Sequence, residues 1–325
     1  MNLSLMKGKK VIITGGCGFV GTHLRKKLFE LGVEVHVLDN LFSSKYDNDF
    51  PNFHNVDILD KGVLNDILNE SFDLMFHLAA HFGHPRSLKD PNLNLQVNLQ
   101  GTLNLLEACR KYNIKMVFSS TFTVYGVQDV MPLDENMNCN PLSLYDVSKL
   151  AAERYLKSYH NLFQTETVSV RFSNIYGPGD PQGPYRSAVS NLIGQVLREQ
   201  SPTLHFKGKA TRDFIHIDDI VMALIAVGIT ENISGEVINL CTGVETTVKE
   251  LTDYIIKYSK SNIKPILVPA NKYYSSNMVG SPLKALEKTG FKYRIKVPDG
   301  LKKTIEWAIE NYNTFSVEQP YSYNP

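Results

Sequence analysis

The sequence predicts an α/β protein, with a doubly wound parallel sheet followed by a smaller α/β lobe. Three observations carry that reading. Apolar, β-branched runs alternate with helical patterns over roughly the first 170 residues, which implies a parallel sheet covered on both faces. Glycines bunch at the turn after the first run, at Gly15, Gly18 and Gly21. The composition then changes at Tyr176–Pro184, where Gly and Pro are too frequent to continue a helix or strand. The expected division is 1–175 for the first domain and 176–325 for the lobe, with a strand near 236–241 returning to the first.

The first strand is Val11-Ile12-Ile13, β-branched and apolar as a strand buried on both faces must be. Leu24, Leu28 and Leu31 then recur at helical spacing, and Val35-His36-Val37-Leu38 forms a second strand ending on Asp39. Residues without a Cβ at the strand-to-helix turn let the backbone approach a pyrophosphate. The anion then rests on the N–H groups of the helix start, around Phe19 and Val20. Asp39 lies where a carboxylate reaches the adenosine ribose hydroxyls, and it repels the extra phosphate of NADP. The expected cofactor is NAD.

A polar, turn-rich segment runs from Asn40 to Pro51, and Asn55–Ile58 reads as a third strand with Asp57 at its end. A helix over 60–68 and a fourth strand over 74–79 follow, the latter reaching His77-Leu78-Ala79-Ala80, where small residues allow close approach of a ligand. Val97–Tyr112 reads as an amphipathic helix with Leu99, Leu103, Leu106 and Cys109 on one stripe. Met116–Phe118 is a fifth strand ending at Ser119-Ser120-Thr121. Pro141–Tyr159 carries a second long helix, and Val168–Val170 a sixth strand. Ligands of such sheets bind at the carboxyl ends of the strands, where Gly15, Asp39, Asp57, Ala79, Ser119, Thr121 and Asn174 should converge.

In the lobe, helices are expected over 187–199, 248–258 and 299–312, and short strands over 214–217 and 235–241, with the final dozen residues a tail. Lys plus Arg (34) nearly balances Asp plus Glu (33), so neither nucleic acid nor a membrane surface is an expected partner. Cys17, Cys109, Cys139 and Cys241 lack metal-ligand spacing, and no metal is expected. The first residues have no apolar core of signal-peptide length, and a cytoplasmic protein is expected.

Tyr145 and Lys149 are four apart on a predicted helix and so share a face. A phenol titrates near ~10, and a neighbouring ammonium is expected to lower it towards a working base. That spacing alone is common by chance. Here it follows a nucleotide-binding unit and a strand ending in hydroxyl residues, which sets all three groups beside one cofactor.

The motifs TGGCGFVG (14–21), LDN (38–40), HLAA (77–80), SSTFTVYG (119–126), YDVSK (145–149), RFSNIYGPG (171–179) and RDFIHIDD (212–219) resemble the extended short-chain dehydrogenase/reductases over roughly the whole chain. The nearest likeness is to the NAD-dependent nucleotide-sugar epimerases and dehydratases, which have a Rossmann-type fold. The resemblance implies that Tyr145 is the base and acid, that Lys149 holds the nicotinamide ribose and lowers the tyrosine, and that Thr121 bonds the sugar oxygen losing its proton. It places Gly15, Gly18, Phe19, Val20, Gly21, Asp39, Asn40, Leu78, Ala79, Ala80, Asn98 and Ser119 around NAD, with Asp57 and Ile58 flanking the adenine. It assigns Asn174, Asn191 and Arg212 to the sugar nucleotide, Arg212 on the diphosphate; Arg186 is a further candidate for a substrate carboxylate or phosphate. His81 and His84 read as lining or structural residues. A homodimer is expected, through pairing of the Tyr145 and Val97 helices.

Relatives that dehydrate carry Asp-Glu after the threonine; here Phe122 and Thr123 stand there and cannot serve as acid and base. Epimerisation at C4 through a transient 4-keto sugar is therefore the expected reaction. Other readings are an oxidoreductase, decarboxylase or dehydratase on a similar substrate, or an epimerase of a UDP-uronic acid.

Overall fold

The computed structural model describes residues 2–42, 50–183, 187–269 and 277–315. In chain order, β1 (Lys10–Thr14), β2 (Glu34–Asp39), β3 (Phe53–Asn55), β4 (Leu74–His77), β5 (Lys115–Thr121) and β6 (Thr167–Phe172) share one sheet. Strands β7 (Asn174–Tyr176), β8 (Thr203–Leu204) and β9 (Thr211–His216) leave it, and β10 (Val237–Leu240) rejoins it beside β6. The resulting seven strands are all parallel, in the order β10-β6-β5-β4-β1-β2-β3.

Strand side chains alternate, so Ile12 and Ile13 serve opposite faces. On one face Ile13, Val35, Val37 and Phe76 pack with Leu24 and Leu28 of α1 (Phe19–Glu30). On the other, Ile12, Leu38, Met75 and Phe118 meet Leu64 and Leu68 of a second helix, α2 (Lys61–Leu68). Past two short helices, α3 (His84–Lys89) and α4 (Pro91–Leu95), the same face is covered by Leu105 and Leu106 of α5 (Thr102–Tyr112) and by Ala152 and Leu156 of α6 (Leu144–Phe163).

The later residues build a separate core from α7 (Ala188–Leu197), β9, α9 (Val248–Tyr258) and α11 (Val297–Glu310), with Ile193, Phe214, Leu251, Ile255, Leu301 and Ile305 inside. Strand β9 pairs with β7, with β11 (Glu245–Thr247) and with β13 (Asn277–Met278), while β12 (Ile266–Leu267) pairs with β8. Helix α10 (Leu283–Thr289) packs against β10 instead, with Ala285 in the core of the main sheet. Between β9 and β10 lies α8 (Ile217–Ile229), which the sequence pattern does not anticipate. It is apolar all round because it is packed all round, with Ile220, Leu224 and Val227 in the core shared with α1.

Several boundaries differ from the expected ones for local reasons. The third strand lies earlier, at Phe53–Asn55: Asp57 turns the chain by accepting its own Leu59 N–H (2.9 Å), and Asp60 caps α2. The long helix begins at Leu144, where Ser143 and Asp146 form a capping box, and runs on to Phe163. The expected Val97 helix is not uniform: Gln96–Gly101 is π-helical, and regular α geometry starts at Thr102. A Cβ on Gly101 would come 2.5 Å from Ile58 Cδ1, so the widened turn sits where the chain presses on the loop after β3. Most of the expected tail, from 316 onward, and part of the turn-rich segment after Asn40 lie outside the described residues.

Candidate active site

The turn after β1 is as tight as its glycines suggested. Gly15 has φ +68, and a Cβ there would meet Ala79 N at 2.6 Å; one on Gly21 would meet Gly15 O at 2.4 Å. Gly18 is the N-cap of α1 and supplies no side-chain bond to the first-turn N–H groups, among them those of Phe19 and Val20. Asp39 accepts the N–H of Cys17 at 2.9 Å through one oxygen and that of Leu41 at 2.8 Å through the other. Asn40 donates to Asp57 at 2.8 Å, and Asn104 holds Ile58 O at 3.0 Å, so both sides of the expected adenine position are braced.

Helix α6 carries the expected reactive pair. Tyr145 and Lys149 are both buried, and the edge of the Phe82 ring meets Tyr145 with centroids 5.7 Å apart. Burial pushes the Tyr145 phenol above its ordinary range, and the Asp146 charge adds to that. Burial also pushes Lys149 down to about 7, against which Glu153 works. The expectation that Lys149 lowers the phenol is therefore not met by these residues. The ammonium is itself weakened, and its Nζ stands 4.5 Å from the Phe118 ring centroid with no hydrogen-bond partner among the described residues. A buried, unpartnered ammonium at a strand end, beside a cradle that a Cβ would fill, fits the ribose of a dinucleotide. The residues present thus suit NAD.

Beneath this pair lies a polar core that the motifs only partly disclose. His77 bonds Thr14 Oγ1 at 2.7 Å and Thr102 Oγ1 at 2.9 Å, and burial, with Lys149 nearby, lowers it to about 3. Arg171 and Glu153 form a buried ion pair (2.7 Å), Ser120 donates to Glu153, and the Arg171 guanidinium lies 4.6 Å from the Tyr125 ring centroid. A histidine closing the run Leu-Met-Phe, and a glutamate four residues after Lys149, were the available signals. Their partners were not available, because they come from other strands.

Leu78 and Ala79 follow β4 closely: Leu78 N donates to Thr14 O at 3.0 Å and Ala79 N to Thr14 Oγ1 at 3.3 Å, leading into Ala80. Ser119 Oγ donates to His77 O at 2.9 Å. Asn98 accepts His81 N–H at 2.8 Å and donates to Ser148 Oγ at 3.0 Å, tying the loop after β4 to α6. Thr121 Oγ1 lies 3.0 Å from Thr123 Oγ1, and Thr123 in turn donates to Asp146.

Among the substrate candidates, Asn174 donates to Asp213 O at 3.3 Å and Arg212 to Thr211 O at 2.7 Å, on the paired strands β7 and β9. Asn191 is engaged in the Gly-rich loop, exchanging two 3.1 Å bonds with the Gly183 backbone. Arg186 lies outside the described residues. Asp213, a residue the sequence did not single out, accepts the N–H groups of Thr242 (2.9 Å) and Gly243 (2.8 Å) and so holds the chain after β10 against β9.

The family model described as the NAD dependent epimerase/dehydratase family matches residues 11–241. An epimerase from the methanogen Methanothermobacter thermautotrophicus has a similar structure, with a TM-score of 0.91 at 33% identity, covering 96% of each chain. The UDP-glucose 4-epimerase of Thermotoga maritima, solved with UDP-glucose, gives 0.89 at 30% identity over 93% of this chain and 99% of that one. UDP-N-acetyl-alpha-D-glucosaminuronate decarboxylase of Bacillus cytotoxicus is 31% identical over 322 residues, 94% of this chain and 99% of the other. Among the described residues no helix is long and apolar enough to cross a membrane, and no group of three or more candidate ligands could hold a metal.

Proposed function

We propose, from the premise that this chain belongs to the NAD dependent epimerase/dehydratase family, that it inverts C4 of a nucleotide-bound sugar through a transient 4-keto sugar. One observation supports the reading: Thr121 ends β5, whose Phe118 ring centroid lies 4.5 Å from Lys149 Nζ, and Tyr145 is buried one turn before Lys149 on α6, while the positions that would serve elimination hold Phe122, buried, and Thr123, whose hydroxyl is bound to Asp146. The Thermotoga relative, solved with UDP-glucose, supports a UDP-sugar as the substrate class.

NAD, when bound, supplies the acceptor and donor of hydride. The glycine turn and the uncapped start of α1 would carry its pyrophosphate, Asp39 its adenosine ribose, and Lys149 the nicotinamide ribose. Tyr145 is the group that exchanges the proton of the C4 oxygen, taking it as a phenolate when the hydroxyl is oxidised and returning it as a phenol when the ketone is reduced, and Thr121 orients that oxygen. Asn174, Asn191, Arg212 and Arg186 are assigned to the sugar nucleotide, and residues 1–175 and 176–325 to the cofactor and substrate parts.

The test is incubation with UDP-, GDP-, CDP- and dTDP-sugars, with products resolved by NMR and reduced cofactor followed by absorbance. An inverted sugar without net cofactor reduction is expected, together with loss of turnover but not of NAD binding in Tyr145→Phe. Release of carbon dioxide from a uronic acid substrate would instead favour the decarboxylase reading that the Bacillus relative supports.

The same reading takes the chain as a cytoplasmic homodimer. Leu144, Val147, Tyr155 and Leu162 are exposed, and with Ala151 they fall on one face of α6. Val147→Glu should yield a monomer in sedimentation, and an unchanged mass would reject this interface.

A further inference from the structure

Tyr145, Lys149 and Glu153 are spaced four apart on α6 and form one stripe, all three buried. An ammonium and a carboxylate at that spacing ordinarily pair, and burial strengthens the pull between them. Lys149 is nonetheless left unclaimed. Its Nζ has no hydrogen-bond partner among the described residues, although the Glu153 charge reaches it. The reason lies on two neighbouring strands. Arg171 of β6 donates Nε to Glu153 Oε1 at 3.0 Å and Nη2 to Oε2 at 2.7 Å, a fork that matches the carboxylate. Ser120 of β5 adds a third donor, on Oε1. The guanidinium is itself fixed in place, buried and 4.6 Å from the Tyr125 ring centroid.

We infer that Arg171, helped by Ser120, is a positioning residue that holds Glu153 off Lys149 and so keeps the ammonium free for the nicotinamide ribose of NAD. This rests on the assignment of Lys149 to that ribose in the function proposed above. Without the fork, Glu153 would be a buried carboxylate with one neutral donor, and a buried charge is costly unless paired. Lys149, one helical turn away, would become its partner. The hydrogens of the ammonium would then go to Glu153, and the ribose hydroxyls would have to compete for them. The spacing that sets Lys149 on the face of Tyr145 thus also brings a competitor, which β6 removes.

The test is NAD affinity, measured by calorimetric titration of the full chain, with circular dichroism confirming the fold of each variant. Arg171→Met releases a charged Glu153 and should weaken NAD binding on the order of tenfold, the worth of a hydrogen bond from a charged donor. Glu153→Gln removes the competing charge and should bind NAD as the parent does, although it unfolds more easily. The double variant Arg171→Met/Glu153→Gln should recover parental affinity. A pair that only supported the fold would give another pattern, with losses in both single variants and no recovery in the double. Parental affinity in Arg171→Met overturns the inference, and so does a tenfold loss that persists in the double variant. Should Arg171→Met fail to fold, Arg171→Lys takes its place: it keeps the charge but not the fork, so affinity should fall about threefold, and parental affinity there overturns the inference. Lys149→Met separates the inference from its premise and should lose as much affinity as Arg171→Met. Parental affinity in Lys149→Met removes the assignment of Lys149 and this inference together. A weakened Lys149→Met beside an indifferent Arg171→Met removes the inference alone.

Discussion

The backbone N–H of Cys17 reaches the Asp39 carboxylate over 2.9 Å, so the acid that ends β2 also braces the glycine turn that follows β1. The residue proposed to take the ribose thus braces the turn proposed to cradle the pyrophosphate.

Asp39→Ala should therefore weaken NAD binding at least tenfold while leaving the fold intact, because it removes both a ligand contact and the brace. Calorimetric titration checks this, with thermal unfolding as the control. Parental affinity in Asp39→Ala would show that the turn holds its shape unaided.

Gly15 and Gly32 separate strain from contact. Both have positive φ (+68 and +74), but only at Gly15 would a Cβ strike neighbouring backbone, Ala79 N at 2.6 Å; at Gly32 nothing lies within 4 Å. Gly32→Ala should cost about 1 kcal/mol, the strain of a left-handed residue. Gly15→Ala should cost several-fold more and also lower NAD affinity, as read by denaturant unfolding and titration. Equal losses at the two positions would refute the close approach of β1 and β4.

Lys149 should make stability depend on pH. Burial lowers it from 10.5 to about 7, so between those values the unfolded chain binds a proton that the folded chain does not. Stability contributed by this group therefore rises with pH across that window, and below it the full cost of a buried ammonium is present. Lys149→Met should be more stable than the parent by a few kcal/mol near pH 6, and the gap should close towards about pH 10. A gap that does not change with pH would contradict the assignment.

Glu153→Gln should cost about 3–5 kcal/mol, since it leaves the Arg171 guanidinium buried without its counter-charge. Urea unfolding measures this directly. A loss below about 1 kcal/mol would mean that water reaches the pair.

Much of the site was legible in the chain because its signals are local. Gly15, Gly18 and Gly21 declare a tight turn, Asp39 closes the next strand, and Tyr145 and Lys149 share a helix face through spacing alone. Helix α8 was not legible, since Ile220, Leu224 and Val227 belong to a segment buried on every side and so without a polar face to give it a period. Nor was the extent of β3, where the Asx turn at Asp57 overrides the apolar Val56 and Ile58.

By itself the sequence determined an alternating α/β chain, a dinucleotide turn with a preference for NAD, and a tyrosine and lysine on one helix. Periodicity and turn chemistry act over a few residues and can be read along a line. Only the tertiary structure decided that Asp146 takes the Thr123 hydroxyl, that Glu153 meets Arg171 from β6, and that His77 is clamped between Thr14 and Thr102. It also decided that Tyr145 and Lys149 are dry enough for burial to outweigh their mutual influence. Partners across elements, and the solvent left between them, are set by how the strands and helices pack, and no spacing within one segment records that.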